Sequence, residues 1–250
     1  MAPPSYNSYV FYSRNNIDII YNGDDNTDID ALNNCLGDGN QKITISNLVL
    51  IKGQTSGNDC NYINFENIIM DKYDFSNNNL NYCKIINCEF NDVAFDGCHF
   101  NQSTFLNCKF NNCTFIDCTM TTPSQFHNCE FKNIDFSGTN LNFANSNLIG
   151  SKFINCNLTG RTFPNNYLSN MLFQDCNLTN TNFGNSSFLS YSIFEHNKMD
   201  HTLFTGSTFK EVVMKNNRMT AIDFSSTNFD STNPLTIVDI TPNIRIGMTV

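Results

Sequence analysis

Between Phe90 and Met120 a bulky apolar residue returns at every fifth position: Phe90, Phe95, Phe100, Phe105, Phe110, Phe115 and Met120. A helix repeats its buried face every three or four residues and a half-buried strand every two, so a period of five excludes both as the organising element. The beat runs from Phe65 to Met120, resumes one step out of phase at Phe126, Phe131 and Phe136, and slips around Leu141 and Phe143. It continues from Leu148 to Phe188, slips by one, and runs from Phe194 to Phe229. Two residues before many centres stands a small residue, among them Cys88, Cys98, Cys108, Cys118, Cys129, Ser151, Cys156, Cys176 and Ser207.

Residues two apart on an extended chain share a face. The small residue and its apolar centre therefore point inward together, and the other three positions point outward. A unit that makes one short extended side and then turns closes a square in four steps, with stacked coils about 4.8 Å apart and backbones paired between layers. The 44 Asn residues, interleaved in phase with 23 Phe, belong at the corners, because Asn tolerates tight turns and bonds its own backbone. The spacing predicts an all-β solenoid of about eight coils over residues 61–230. A small α+β N-terminal cap (1–60) precedes it, and a C-terminal cap or dimerisation strand (231–250) completes the chain. In the first cap, IDII (17–20) and KITISNLVLI (42–51) read as strands, and Asp28 is placed to cap a short helix carrying Ile29, Leu32 and Leu36. At the other end Ile244, Ile246, Met248 and Val250 alternate with Arg245, Gly247 and Thr249 as a half-buried strand, a candidate end-to-end contact for a homodimer.

Segments such as CNLTNTNF (176–183) and SNLIGSKF (146–153) resemble the pentapeptide-repeat family, whose units read roughly A(D/N)Lxx. The resemblance runs from Ile63 to Phe229 and implies a right-handed quadrilateral parallel β-helix on the order of 40 Å long. Irregular Phe- and Cys-rich units such as FDGCHFNQSTFLNC are similar to the β-helix modules of bacterial type III effectors. That similarity implies a non-catalytic scaffold that binds a protein partner through its rod faces, either cytoplasmic or exported without a cleavable signal. A second sub-family, the quinolone-resistance proteins that occupy the DNA site of gyrase, implies a DNA mimic. The run NGDDNTDIDALNNCL resembles the cap of pectate-lyase-like phage tail proteins, which implies a viral or phage surface or fibre component.

Charge narrows the choice. The chain carries a net charge of -9, which argues against direct nucleic-acid binding and against adhesion to anionic membranes. No apolar run is long enough to cross a bilayer, and no secretory signal opens the sequence, so no membrane insertion is expected. Duplex DNA carries about one charge per 1.7 Å, so a rod of about 40 Å needs on the order of 24 to match it. Residues 61–250 hold 16 acidic and 11 basic side chains, a net of -5, and mimicry by bulk charge fails. A local stripe remains: Asp74, Asp96, Asp117 and Asp135 map to one side of the coil, the candidate partner-binding surface.

The remaining chemistry points to structure. Asp24, Asn26, Asp28 and Asp30 alternate like calcium ligands, but Ile29 and Cys35 stand where a calcium loop needs Gly and Glu. Nine of the eleven cysteines take the inward small position, leaving Cys35 and Cys60 outside it. Cys88, Cys108 and Cys129 should stack beside Phe90, Phe110 and Phe131 as a core ladder. With no CxxC pair and no inward His, no metal and no cofactor are expected. The four His map outward, and no nucleotide, zinc-protease or nucleophile-elbow motif occurs, so no catalytic residue is assigned and the chain reads as a non-enzyme. Arg161 occupies a small inward position, where an unpartnered guanidinium is costly, and predicts a local distortion at GRTFP.

Overall fold

A computed structural model describes residues 60, 61, 63–139, 141, 143–185, 189–230 and 235–238, and the strand segments 9–14, 17–22, 44–46 and 49–51. It is a right-handed parallel β-solenoid of about eight four-sided coils, all-β throughout the described residues. The first side is built from Asn64–Glu66, Lys84–Ile86, Thr104–Leu106 and Gln125–His127. The second side is a ten-stranded parallel ladder that includes Glu89–Asn91, Lys109–Asn111, Glu130–Lys132 and Lys152–Ile154. Third and fourth sides are joined by single bridges, Asp74 to Ala94 to Thr114 on the third and Asn79 to His99 to Thr119 on the fourth. Register follows the five-residue beat: Phe110 pairs with Phe90 on one side and Phe131 on the other.

Turning four times per coil requires a backbone that bends sharply without a loop. Most sides end two residues past their centre in a left-handed conformation, from Asn67 (φ 55°) to Ser226 (φ 55°). Of the 26 non-glycine residues so placed among the described ones, 14 are Asn and three Asp, the side chains that adopt this region at least cost. The same corner residues form ladders across coils, as in Asn87 to Asn67 (3.3 Å) and Asn107 to Asn87 (3.1 Å).

Inside, the rings stack. Phe90, Phe110, Phe131, Phe153, Phe173 and Phe194 form one column along the second side, with centroids 4.9–5.3 Å apart. The inward small position has a second task beyond leaving room for them. Its polar atom donates to the carbonyl of a centre in the coil before: Cys108 Sγ to Ile85 O (3.2 Å), Ser151 Oγ to Phe126 O (2.7 Å), Thr181 Oγ1 to Leu158 O (2.8 Å) and Asn217 Nδ2 to Phe194 O (2.7 Å). A buried carbonyl left without a donor costs about 1–3 kcal/mol, which is why Cys, Ser, Thr and Asn recur there where packing alone would accept Ala. Cys60, which falls outside the beat, is fully buried and joins the same stack, with Cys83 Sγ donating to its carbonyl (2.9 Å).

The phase slips are absorbed at corners and in one loop. After Met120 the extra residue lies in Thr121–Thr122–Pro123, where Asn101 Oδ1 accepts from the amides of Thr121 (2.7 Å) and Thr122 (3.2 Å). The second slip places both Leu141 and Phe143 in the core, and Phe143 stacks on Phe163 (5.4 Å). Arg161 explains how that two-residue insertion is held: Nη1 donates to Thr139 O (2.5 Å) and Nη2 to Ser137 O (3.2 Å). The distortion lies one coil before GRTFP, and the guanidinium reaches across to it in place of a small donor. At the third slip the partner of Phe209 is Leu189, one residue later than the beat from Leu148 places it; Phe188 lies outside the described residues.

Both ends extend the ladders. Strands 44–46 and 49–51 pair in parallel with Asn64–Glu66 and Ile69–Asp71, while 9–14 and 17–22 form a separate antiparallel pair. Leu235–Val238 pairs in parallel with Val212–Lys215, adding a rung to the second side instead of folding across the open end, with Leu235 and Ile237 against the core. The helix expected at 28–36 and the strand expected at 244–250 lie outside the described residues.

Candidate functional site

With the inward positions committed to packing, chemistry is confined to three outward positions per side. Those positions are not equivalent around the rod. Between Ile85 and Ser207 every outward carboxylate and ammonium belongs to the second side, the third side or their corners, while the first and fourth sides present Thr, Asn, Gln, His and a few apolar residues such as Leu106 and Ile149. The second side is self-neutralising, as where Lys215 Nζ meets Glu195 Oε1 (2.9 Å) and Lys109 faces Glu89 (4.0 Å). Lys215 beside Glu195 holds that carboxyl below the usual carboxylate range.

The third side differs. Its first four coils are YDFSN, VAFDG, CTFID and IDFSG, which bring Asp74, Asp96, Asp117 and Asp135 onto one strip with no basic residue among them. The carboxylates are anchored. Asp74 Oδ1 accepts from Ser76 N (3.0 Å), Asp96 Oδ1 from Ile116 N in the next coil (2.8 Å), and Asp135 Oδ1 from Ser137 N (2.9 Å) and Oγ (2.7 Å). Asp117 sits at a left-handed corner (φ 55°) and is exposed. Ile116, 54% exposed, lies among them.

The last two coils of the same side carry the opposite sign, a feature the sequence reading missed. Lys198 and Arg218 are bridge partners there, and Arg218 Nη2 also meets the largely buried Asp200 Oδ2 (3.1 Å). Asn157, Thr159, Asn177 and Thr179 separate the two ends. The signal was present in the register: Lys198 and Arg218 stand one position before Met199 and Met219, as Asp74 does before Phe75.

Other candidates are dispersed. Cys88, Cys108 and Cys129 lie buried beside Phe90, Phe110 and Phe131. Burial pushes the Cys98 and Cys113 thiols up to about 12, away from the thiolate form that binds metals or attacks carbon. Among the described residues no group of His, Cys, Asp and Glu is arranged to hold a metal ion. His99 bonds the Thr119 hydroxyl of the next coil, and His196 lies 3.8 Å from Asp175 and 3.9 Å from Glu195 as part of an exposed polar cluster. Among the described residues no helix is long and apolar enough to cross a membrane. Ile244, Ile246, Met248 and Val250 lie outside the described residues.

Comparison with curated proteins gives no match. Among solved structures, QnrB1, a plasmid-mediated fluoroquinolone resistance protein, in a trypsin-treated form is 17% identical over 74% of this chain and 91% of its own, with a TM-score of 0.41. HetL, a pentapeptide repeat protein involved in heterocyst differentiation regulation from the cyanobacterium Nostoc sp. strain PCC 7120, is 12% identical over 83% of this chain and 95% of its own, with a TM-score of 0.37. ORF18 of Geobacillus virus E2 is 11% identical over 93% of this chain and 68% of its own, with a TM-score of 0.27. Two family models match directly: pentapeptide repeats (8 copies) over residues 88–122, and the pentapeptide repeat region over residues 124–193. The same five-residue rungs continue on both sides of those matches, so the pentapeptide repeat that the two models describe over residues 88–122 and 124–193 extends along the described solenoid.

Proposed function

We propose that this solenoid is a non-catalytic scaffold that binds another macromolecule through its third side, with Asp74, Asp96, Asp117 and Asp135 as the docking strip for a cationic protein surface. The observation that carries the reading is the segregation of charge: four carboxylates share one flat face over four successive coils with no basic residue among them. A flat, preorganised face loses little conformational entropy on binding, and like-signed charge speeds encounter with a partner of opposite sign. The strip is too sparse to imitate duplex DNA. Three steps between coils cover about 14 Å, a length over which DNA carries about eight charges, against four here. The first and fourth sides offer little charge for a partner to read, and the second side mixes both signs, as where Lys109 faces Glu89 and Lys215 meets Glu195.

The test is binding of the full chain to a small cationic protein of known structure, followed by titration of salt. The variant Asp74→Asn/Asp96→Asn/Asp117→Asn/Asp135→Asn should lose at least about tenfold in affinity and most of its salt dependence. Equal binding by variant and wild type would remove the strip from the interface.

A further inference from the structure

The third side is polar along its length: acidic in its first four coils, uncharged in the fifth and sixth, and net basic over the seventh and eighth, where Lys198 and Arg218 outnumber the largely buried Asp200. We propose that this face is self-complementary and that two copies of the chain pair through it antiparallel, the acidic end of each against the basic end of the other. The inference rests on the reading of the third side as a docking surface and names its partner.

Symmetry and register carry the argument. Two copies that meet face to face around a two-fold axis crossing the rods place an interface residue opposite its counterpart counted from the other end. Full overlap of eight coils sets the first against the eighth and the second against the seventh. Asp74 then stands opposite Arg218, whose side chain is 70% exposed. Asp96 falls diagonally from Lys198, and at the flanking corner Asp92 faces His196. In the middle Asp135 meets Asn157, and Ile116 meets Thr179, so no basic residue opposes a basic one. The one like-signed pair, Asp96 and Asp200, is softened because Asp200 is largely buried and bound to Arg218. The alternative with the axis along the rods sets acidic end against acidic end, and like charges facing one another disfavour it. A neutral or uniformly acidic third side would have no such preferred direction.

Size makes the association weak. Eight coils at about 4.8 Å and a flat width of three residues give about 400 Å² per copy, below the area of a standard stable interface. Exposed ion pairs add little each and are screened by salt. The expected dimer is therefore dilute-labile and salt-sensitive.

Sedimentation equilibrium of the full chain at ~20 mM and ~500 mM salt measures it, up to millimolar protein. Wild type should show concentration-dependent dimer at low salt that dissociates at high salt. Asp74→Lys/Asp96→Lys leaves both ends basic and Lys198→Glu/Arg218→Glu leaves both acidic, so each alone should dimerise roughly tenfold or more weakly. An equimolar mixture of the two should associate again. Lys198→Glu alone, which keeps the Arg218 contact with Asp200, serves if the double variant is destabilised, and should weaken the dimer in the same direction. A wild type that stays monomeric at low salt, or a dimer indifferent to these substitutions, would overturn the proposal. Binding of the cationic probe by Lys198→Glu, which retains the acidic strip, reports separately on the function proposed above.

Discussion

The two halves of the rod fill the same square with different parts. In the coil from Phe105 to Met120 the centres are Phe, Phe, Phe and Met, and the inward small positions are Ser103, Cys108, Cys113 and Cys118. In the coil from Leu168 to Phe183 they are Leu, Phe, Leu and Phe, with Asn166, Met171, Cys176 and Thr181 beside them. Taken over a whole coil, the set with larger centres has the smaller neighbours and the set with smaller centres has the longer ones. Backbone geometry fixes the cross-section, and close packing requires each coil to reach the same filling by its own combination. The halves also differ in how they cap the carbonyls of the centres, mostly with thiols in the first and with hydroxyls and amides in the second.

The largest effect should come from emptying a ring position. Phe110→Ala, with stacked neighbours at 5.0 Å on both sides, should cost about 3–5 kcal/mol in denaturant unfolding. A loss below about 1 kcal/mol would mean that the first half does not depend on ring packing. The reverse change in the second half, Leu168→Phe, should overpack its coil and cost about 1–3 kcal/mol. If it stabilises instead, the cross-section is not fixed.

Arg161 comes next. Arg161→Met keeps the stem but removes donors to two carbonyls, and should cost about 1.5–3 kcal/mol, since hydrogen bonds to charged groups exceed neutral ones. Arg161→Lys should recover only part of that, having no planar fork to reach both. Ser207→Ala, which leaves the carbonyl of Phe183 without the 2.7 Å bond from Oγ, should cost about 1–3 kcal/mol. Cys108→Ser should cost less, because a hydroxyl can make the same contact.

A last contrast separates the halves by pH. Thiols at Cys98 and Cys113 are raised by burial from 9.0 to about 12. A group with a raised folded value contributes stability that is complete below the unfolded value and lost as pH rises through the folded one. Hydrogen exchange between pH 9 and 12, corrected for intrinsic rates, should therefore show the Cys98 and Cys113 coils opening before the Ser207 coil. Uniform protection across the rod would contradict this.

The fold was legible because a five-residue beat admits few backbones, and the stacking of Phe90, Phe110 and Phe131 could be counted directly. What could not be counted was position within a slip. Leu189 and Phe188 are both apolar, as are Leu141 and Phe143, and the period alone cannot choose between adjacent apolar residues. The donor role of the cysteines was hidden by their size, which explains their place without any hydrogen bond. Asp74, Asp96, Asp117 and Asp135 could be assigned to one side from spacing, whereas the opposing Lys198 and Arg218 became evident only when the eight coils were aligned across three slips. The turn of Leu235–Val238 into a further rung was not legible, since a half-buried strand looks the same whether it continues a ladder or covers its end.

The regular left-handed corners make the rod an indexing device. Adding five residues anywhere would turn everything downstream by a quarter revolution, moving Lys198 off the face that carries Asp74, while the core would still find an apolar residue at each step. Adding twenty would lengthen the rod and change no address. The insertions the chain does carry stretch individual coils to 21, 22 and 21 residues, as between Phe105 and Phe126, Gln125 and Asn147, and Phe173 and Phe194, without rotating the rest of the rod. Length changes in such a chain are thus quantised: a whole revolution is silent, a bulge is absorbed, and a quarter revolution reassigns every downstream surface at once.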